Sequence, residues 1–291
     1  MSIYRNAVWF LKGMQEYTRS GYEAAAKHFN PSDLEVNLGG RSFMITGANS
    51  GIGKATAQEI DRSSNVHVHI LDMSNMKQVW EFAQNFAQKN TLHVLINNAG
   101  CMINQRELTE EGLEKNFATN TLGTYILTTA LIPLLKQATD PRVVTVSSGG
   151  MLTQKLNIDD LQFEKGTFDG TMAYAQNKRQ QVILTERWAA QHKEVHFSSM
   201  HPGWADTPAV QTSMPSFHAK MQSRLRTEAM GADTVVWLAV SEAASKQKSG
   251  QFFQDRTAVS THLPLAASRS SPQDEEKLVN ILEEFAQKFK P

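Results

Sequence analysis

The sequence predicts an α/β chain organised around one doubly wound parallel sheet, and three observations predict it. Short apolar runs alternate with helical stretches, no internal repeat or low-complexity linker interrupts them, and the 41% apolar content suits a globular core. Strands alternating with helices along one span imply parallel strands joined by helical crossovers, with both sheet faces covered.

Residues 42–46 form a short apolar run ending at Gly47, and residues 51–60 read as a helix. Residues 66–71 are strand-like. Residues 74–87 are helical, with Met76, Val79, Trp80, Ala83 and Phe86 near helical spacing. A strand is expected at 93–96, a long helical stretch at 113–135, a strand at 142–146, a helix at 171–191 and a strand at 195–200. Residues 231–240 are helical and 251–253 can close the sheet. Residues 1–40 form an N-terminal helical extension, 41–267 the main domain and 268–291 a C-terminal helix, whose Leu278, Ile281, Leu282, Phe285 and Phe289 share an amphipathic pattern.

Lys plus Arg equals Asp plus Glu at 29 each, so charge gives no reason to expect a nucleic-acid partner. The single cysteine, Cys101, excludes an internal disulfide framework and multi-cysteine metal sites, and it fits a reducing compartment. No run approaches the ~20 apolar residues that span a bilayer. An intracellular, cytoplasmic protein is the expectation. The run Ala7-Val8-Trp9-Phe10-Leu11, flanked by Arg5 and Lys12, suits either a helix packed on the domain or weak peripheral contact with a membrane surface. His67 and His69 share one side of a strand, but no third metal ligand is evident, so no metal site is expected. His201 is read as shaping its loop, and Cys101 as a small packed residue.

Between the first strand and its helix lies Thr46-Gly47-Ala48-Asn49-Ser50-Gly51-Ile52-Gly53. Gly47 permits a tight turn, Gly51 lets the backbone approach a pyrophosphate, and Gly53 lets helix and strand pack closely. The helix N-terminus then offers free N–H groups and a positive dipole end to the anion. Tyr174 and Lys178 stand four apart and so share a helix face. A free phenol, with a pKa near ~10, is a poor base at neutral pH. A neighbouring ammonium favours the phenolate, so the pair suits proton transfer at a carbonyl or alcohol oxygen.

Further segments follow in order: Asn97-Asn98-Ala99-Gly100 and Val146-Ser147-Ser148, each after a strand, then Tyr174-x-x-x-Lys178, then Met200-His201-Pro202-Gly203-Trp204-Ala205-Asp206-Thr207. Over about residues 41–253 this set resembles the short-chain dehydrogenase/reductase family, in its retinol-dehydrogenase-like branch. The resemblance implies a Rossmann-like fold and hydride transfer between a nicotinamide cofactor and an apolar alcohol or carbonyl. It implies Tyr174 as general acid–base, Lys178 on the nicotinamide ribose and Ser148 on the substrate oxygen. It also implies Asn120 as the holder of a water joined to the lysine, completing a proton relay. Gly47, Asn49, Ser50, Gly51, Ile52, Gly53, Asn98, Ala99, Gly100, Pro202, Gly203 and Thr207 would line the cofactor with Tyr174 and Lys178. Trp204, Met214, Phe217 and Met221 suit either a substrate pocket or core. The branch favours NADP(H), and the family pairs as homodimers through the helices bearing Asn120 and Tyr174.

One interval departs from the family. Only 18 residues separate Gly53 from Asp72, so one strand–helix unit of about 20 to 25 residues is missing by the resemblance, with the seam near 60–65. Residues 66–71 are then expected to pair beside 42–46, because buried backbone groups need partners. Asp72 would follow the glycine loop at a distance suited to ribose hydroxyls, where it would repel a 2′-phosphate and favour NAD(H). A shortened form, such as a splice product, that keeps the tetrad but binds cofactor poorly is the rival reading. An epimerase is disfavoured because little chain remains after Phe253 for a sugar domain.

Overall fold

The computed structural model describes residues 3–61 and 66–291. Two helices, α1 (Ile3–Glu16) and α2 (Arg19–Ala26), precede strand β1 (Phe43–Ile45) and helix α3 (Gly51–Ile60). Then come α4 (Met76–Lys89), β2 (Val94–Asn97), α5 (Lys115–Phe117), a π turn over Ala118–Gly123, and α6 (Thr124–Leu135). β3 (Arg142–Val146), a 3-10 turn at Gly149–Thr153, α7 (Gly170–Gln191) and β4 (His196–Met200) follow. α8 (Pro208–Ser213), α9 (Pro215–Met221), α10 (Glu228–Val240), α11 (Glu242–Ser245), the hairpin β5 (Phe252–Gln254) and β6 (Thr257–Val259), and α12 (Pro272–Lys288) complete the chain.

The six strands lie in sequence order, β1 to β5 parallel and β6 antiparallel to β5. This is the Rossmann-like sheet the alternation predicts. β2 and β3 are buried at every residue, as strands covered on both faces must be, and so carry continuous apolar runs. One layer, built from α4, α6, α7 and α12, packs around Leu95, Phe117, Leu131 and Phe197. The other, built from α3 and α10, packs around Ile96, Val144, Val235 and Phe253. α12 closes the first layer: Leu278, Leu282 and Ala286 are buried, Trp80 Nε1 donates to Ala286 O (2.9 Å) and Tyr125 donates to Glu283 (2.6 Å).

The strand expected at 66–71 does not form. Among the described residues β1 pairs with β2 alone and is the sheet edge. Val66, Val68 and Ile70 are 60, 84 and 99% exposed, and His69 packs edge-on to Phe82. With the connecting unit gone, residues 66–71 run to α4 without returning to β1. The part of the seam at 62–65 lies outside the described residues.

The N-terminal extension is tied into the domain by Arg226, which is 1% exposed. Its guanidinium forms a two-pronged pair with Asp255, at 2.6 and 2.9 Å, in the β5–β6 turn. It also donates to the carbonyls of Glu16 (2.6 Å), Thr18 (3.2 Å) and Pro202 (3.4 Å). Helix ends, the post-β4 loop and the hairpin thus converge on one cation. Arg226→Met should cost about 3–5 kcal/mol, because a buried carboxylate is left unpaired. Urea unfolding measures it, and a loss under about 1 kcal/mol, the range of an exposed pair, would contradict this role.

Candidate active site

Asp169 starts α7 by accepting the Met172 N–H (2.9 Å), which places Tyr174 in the first turns of the helix. One turn on, Lys178 enters the core, 3% exposed. Its Nζ lies 5.4 Å from the Tyr174 ring centroid and donates to Val146 O (2.9 Å) and Gln181 Oε1 (3.1 Å). Ser148, at the end of β3, caps the 3-10 turn through Gly150 N (3.1 Å), and its side chain hydrogen-bonds to that of Tyr174. Tyr174, Lys178 and Ser148 therefore meet at the C-terminal ends of the strands, where open α/β sheets place their ligands.

The expectation that Lys178 lowers the phenol pKa is not met. Burial pushes Tyr174 up to about 12, while the Ser148 hydrogen bond pulls it down. Burial also brings Lys178 down to about 8, and a charged Cys101 thiolate would oppose this. Desolvation disfavours both charged forms and is the largest influence on each. At neutral pH the pair is a protonated phenol beside a mostly charged amine.

Asn120 sits in the π turn, fully buried. Its side chain receives Cys101 N and donates to Cys101 O, both at 2.8 Å. Its main-chain carbonyl accepts from Gln181 Nε2 at 2.7 Å. Asn120 and Lys178 are thus joined through an amide side chain, a link the sequence reading missed. The available signal was position: Gln181 lies three residues beyond Lys178 and so shares its helix face.

The nicotinamide dinucleotide implied by the family resemblance can be tested against the residues present. Gly47 and Gly51 take φ of +64° and +57°, and Ser50 at the start of α3 makes no side-chain cap bond. The first N–H groups of α3 are thus left to an anion. Asn49 and Ser50 are exposed at the loop tip, and Ile52 packs toward Gly231. Asn98 holds the loop by donating from Nδ2 to Thr46 O (3.0 Å) and Gly47 O (3.1 Å), and Ala99 N donates to Thr46 Oγ1 (2.9 Å). A Cβ on Gly100 would stand 3.1 Å from Asn120 Oδ1 and 3.4 Å from Lys178 Nζ, which places this backbone directly beside the buried lysine. Thr207 caps α8 through Val210 N (3.3 Å) and faces Gly51. Gly203, at φ +77°, leaves room for the Arg226 side chain, and Pro202 supplies a carbonyl to it. The phosphate and nicotinamide ends therefore fit.

The adenosine end differs. Asp72 is exposed and its Oδ1 accepts from Ser74 N (2.8 Å) and Oγ (2.7 Å), which closes the turn before α4. It follows a segment that is not paired to β1, so its expected ribose position is not formed. The argument for NAD(H) from that carboxylate loses its premise.

His201 shapes its loop, as expected. It is 2% exposed, burial holds it neutral, and its Nδ1 accepts from Gly149 N (2.8 Å) beside Ser148. Trp204, Phe217 and Met221 gather with Tyr17 and Leu225 beneath α1, where Trp9 and Trp204 meet at 5.6 Å. Met214 joins α8 to α9. The N-terminal helix thus forms one wall of this apolar cluster, which the sequence reading did not anticipate. A separate open groove lined by Tyr125, Trp188, His192 and Glu283 lies about 21 Å along α7 from Tyr174, too far for the same chemistry.

The family profile described as short chain dehydrogenase matches residues 59–216. The chain is 61% identical to dehydrogenase/reductase SDR family member 12 of Homo sapiens and of Bos taurus, across the whole of both chains in each case. Those alignments span 317 positions against 291 residues here, a difference of 26, consistent with one missing unit. Retinol dehydrogenase 12 of Bos taurus is 32% identical over 76% of this chain and 79% of its own. A crystal structure of an uncharacterized protein from Mycobacterium Paratuberculosis superposes with a TM-score of 0.68 at 25% identity, covering 86% of this chain and 95% of that one.

A Cβ on Gly53 would collide with the Gly47 carbonyl and the Asn98 amide. Gly53→Ala gains about 1 kcal/mol in helix propensity and loses about 1–3 kcal/mol to overpacking. Net destabilisation in urea unfolding is expected, and a stabilised variant would show that the loop is not packed as described.

Proposed function

The chain belongs to the short-chain dehydrogenase/reductase family of NAD(P)-dependent oxidoreductases, and from that premise we propose that it reduces an apolar carbonyl, or oxidises the matching alcohol, with Tyr174 as general acid–base. One observation carries this reading: Tyr174, its Ser148 partner and the Lys178 ammonium converge beside a glycine loop whose helix N-terminus has no side-chain cap. When bound, the nicotinamide cofactor supplies or accepts the hydride. Ser148 orients the substrate oxygen, and Tyr174 gives it a proton. Lys178 holds positive charge toward the phenol and the cofactor ribose. Asn120 fixes the Cys101 backbone. The phosphates rest on Gly47, Asn49, Ser50, Gly51, Ile52 and Gly53, with Asn98, Ala99 and Gly100 as floor and Pro202, Gly203 and Thr207 beside the nicotinamide. Burial keeps the phenol protonated at neutral pH, so Tyr174 can give a proton to a carbonyl oxygen in the reductive reaction.

Trp204, Phe217 and Met221, backed by α1, together with Met214 at the α8–α9 junction, are the proposed substrate wall. NADP(H) is the proposed cofactor by likeness to the retinol-dehydrogenase branch. Solved relatives at 21 and 20% identity carry NADP and NADH respectively, so either form is tested. The exposed Ile3, Phe10 and Leu11 on α1 support peripheral contact with a membrane surface. A homodimer through α6 and α7, the helices next to Asn120 and bearing Tyr174, is the proposed assembly by likeness to the family, and α12 packs beside α6 through Tyr125 and Glu283. The second reading, a cofactor-poor and catalytically weak binding protein, is favoured by the sheet ending at β1.

Titration with NADPH and NADH, followed by intrinsic fluorescence and thermal unfolding, separates the two readings. A ligand that binds the folded state must raise its melting temperature. No response to either at millimolar concentration would reject the enzyme. Tyr174→Phe should retain cofactor binding and abolish turnover of apolar aldehydes and ketones, and retained turnover would refute the assigned role. The rate of reduction should be level through neutral pH and fall as pH rises through about 8, where Lys178 loses its charge. A profile level to pH about 10, near an ordinary lysine, would contradict this.

A further inference from the structure

Two buried amides of α7 reach across to the π turn. Thr121 Oγ1 donates to Gln180 Oε1 at 2.7 Å, and Gln181 Nε2 donates to the Asn120 carbonyl at 2.7 Å. The other end of Gln181 accepts from Lys178 Nζ at 3.1 Å. Gln181 is 1% exposed, so both ends are fixed away from solvent. A π turn loosens the helical ladder and frees a carbonyl for an inserted side chain. Here the inserted group is this amide.

We propose that Gln181 is a positioning residue that ties the Lys178 ammonium to the Asn120 main-chain carbonyl and makes Lys178 a fixed charge rather than a carrier of protons along this route. The geometry gives the reason. Lys178 has three N–H bonds, of which one goes to Val146 O and one to Gln181 Oε1. An amide accepts at oxygen and donates at nitrogen. To pass a proton it must gain O–H and lose N–H, which leaves the high-energy imidic acid form. A proton on Lys178 therefore goes no further through Gln181, and the bond instead stabilises the charged ammonium. The ionisable groups facing Lys178 are Tyr174 on its own helix and Cys101 after β2, and neither is an anion at neutral pH. Among the described residues no buried carboxylate acts on it, so the ammonium depends on neutral acceptors such as Gln181.

This inference concerns the same site as the proposed hydride transfer, but its test needs no turnover. The full chain, free of cofactor, is labelled with ¹³C at the lysine ε-carbons, and the Lys178 resonance is assigned by its loss in Lys178→Arg. In Gln181→Leu the ammonium loses an acceptor, and its titration midpoint should fall by about one pH unit, a tenfold gain in acidity. In Gln181→Glu a carboxylate takes the same place, and the midpoint should rise by a similar amount. Thermal unfolding verifies that each variant is folded, and if the leucine variant is not, the glutamate variant carries the comparison. A midpoint within about 0.2 units of the unsubstituted chain in a folded variant would overturn the proposal, since a shift that small is under about 0.3 kcal/mol. Shifted midpoints in a chain that binds no nucleotide would uphold the role of Gln181 and reject the enzyme reading alone.

Discussion

The rest of the structure depends on the burial of one polar stretch. Gln176, Asn177, Lys178, Arg179, Gln180 and Gln181 follow one another on α7, and all are buried. Each needs a partner, because an unpaired polar group in a dry interior costs about 1–3 kcal/mol and a charge more. The partners come from every side. Gln154 and Lys155 serve Gln176, Gln154 and Thr261 serve Arg179, Thr121 serves Gln180, and Val146 and Asn120 serve Lys178 and Gln181. The loop after β3, the π turn and the segment after β6 are thus placed by demands that originate on one helix.

The same dryness sets the chemistry. A phenol and an ammonium in water would assist each other at a distance of one helical turn. Inside this core, desolvation works against both charged forms, raising the one and lowering the other. The Tyr174 phenol stays protonated, and Lys178 is held by the neutral oxygens of Val146 and Gln181. On the opposite flank, among the described residues, the sheet stops at β1, and Val68 and Ile70 face solvent. An open edge leaves backbone groups available to other strands. The glycine turn leaves the start of α3 without a side-chain cap, while Asp72 follows a segment that is not paired to β1.

Much of this was legible in the chain. The helix 51–60 and the strand 142–146 fall where apolar spacing and flanking glycine put them, and β2, β4 and β5 shift by a residue or so. The long helical stretch at 113–135 was read as continuous, because a π turn changes the hydrogen-bond register without breaking the apolar pattern. Residues 66–71 misled because Val66, Val68 and Ile70 alternate as a half-buried strand does, yet alternation cannot say whether a partner strand is within reach. Asp72 followed the same error, since its place at the cofactor depended on that pairing. His201, read as shaping its loop, is buried and accepts from Gly149 N in the turn after β3.

By itself the sequence determined what neighbouring residues can encode: the α/β alternation, the glycine turn, and Tyr174 and Lys178 on one helix face. These rest on repeats of two to about four residues, which local backbone geometry enforces. Only the tertiary structure decided the rest. Arg226 meets Glu16 and Thr18 across more than 200 residues, α1 becomes a wall of the Trp204 cluster, and Gln181 stands between Lys178 and Asn120. The physical reason is that desolvation and choice of partner depend on which segments are packed together, and spacing along the chain carries no record of that.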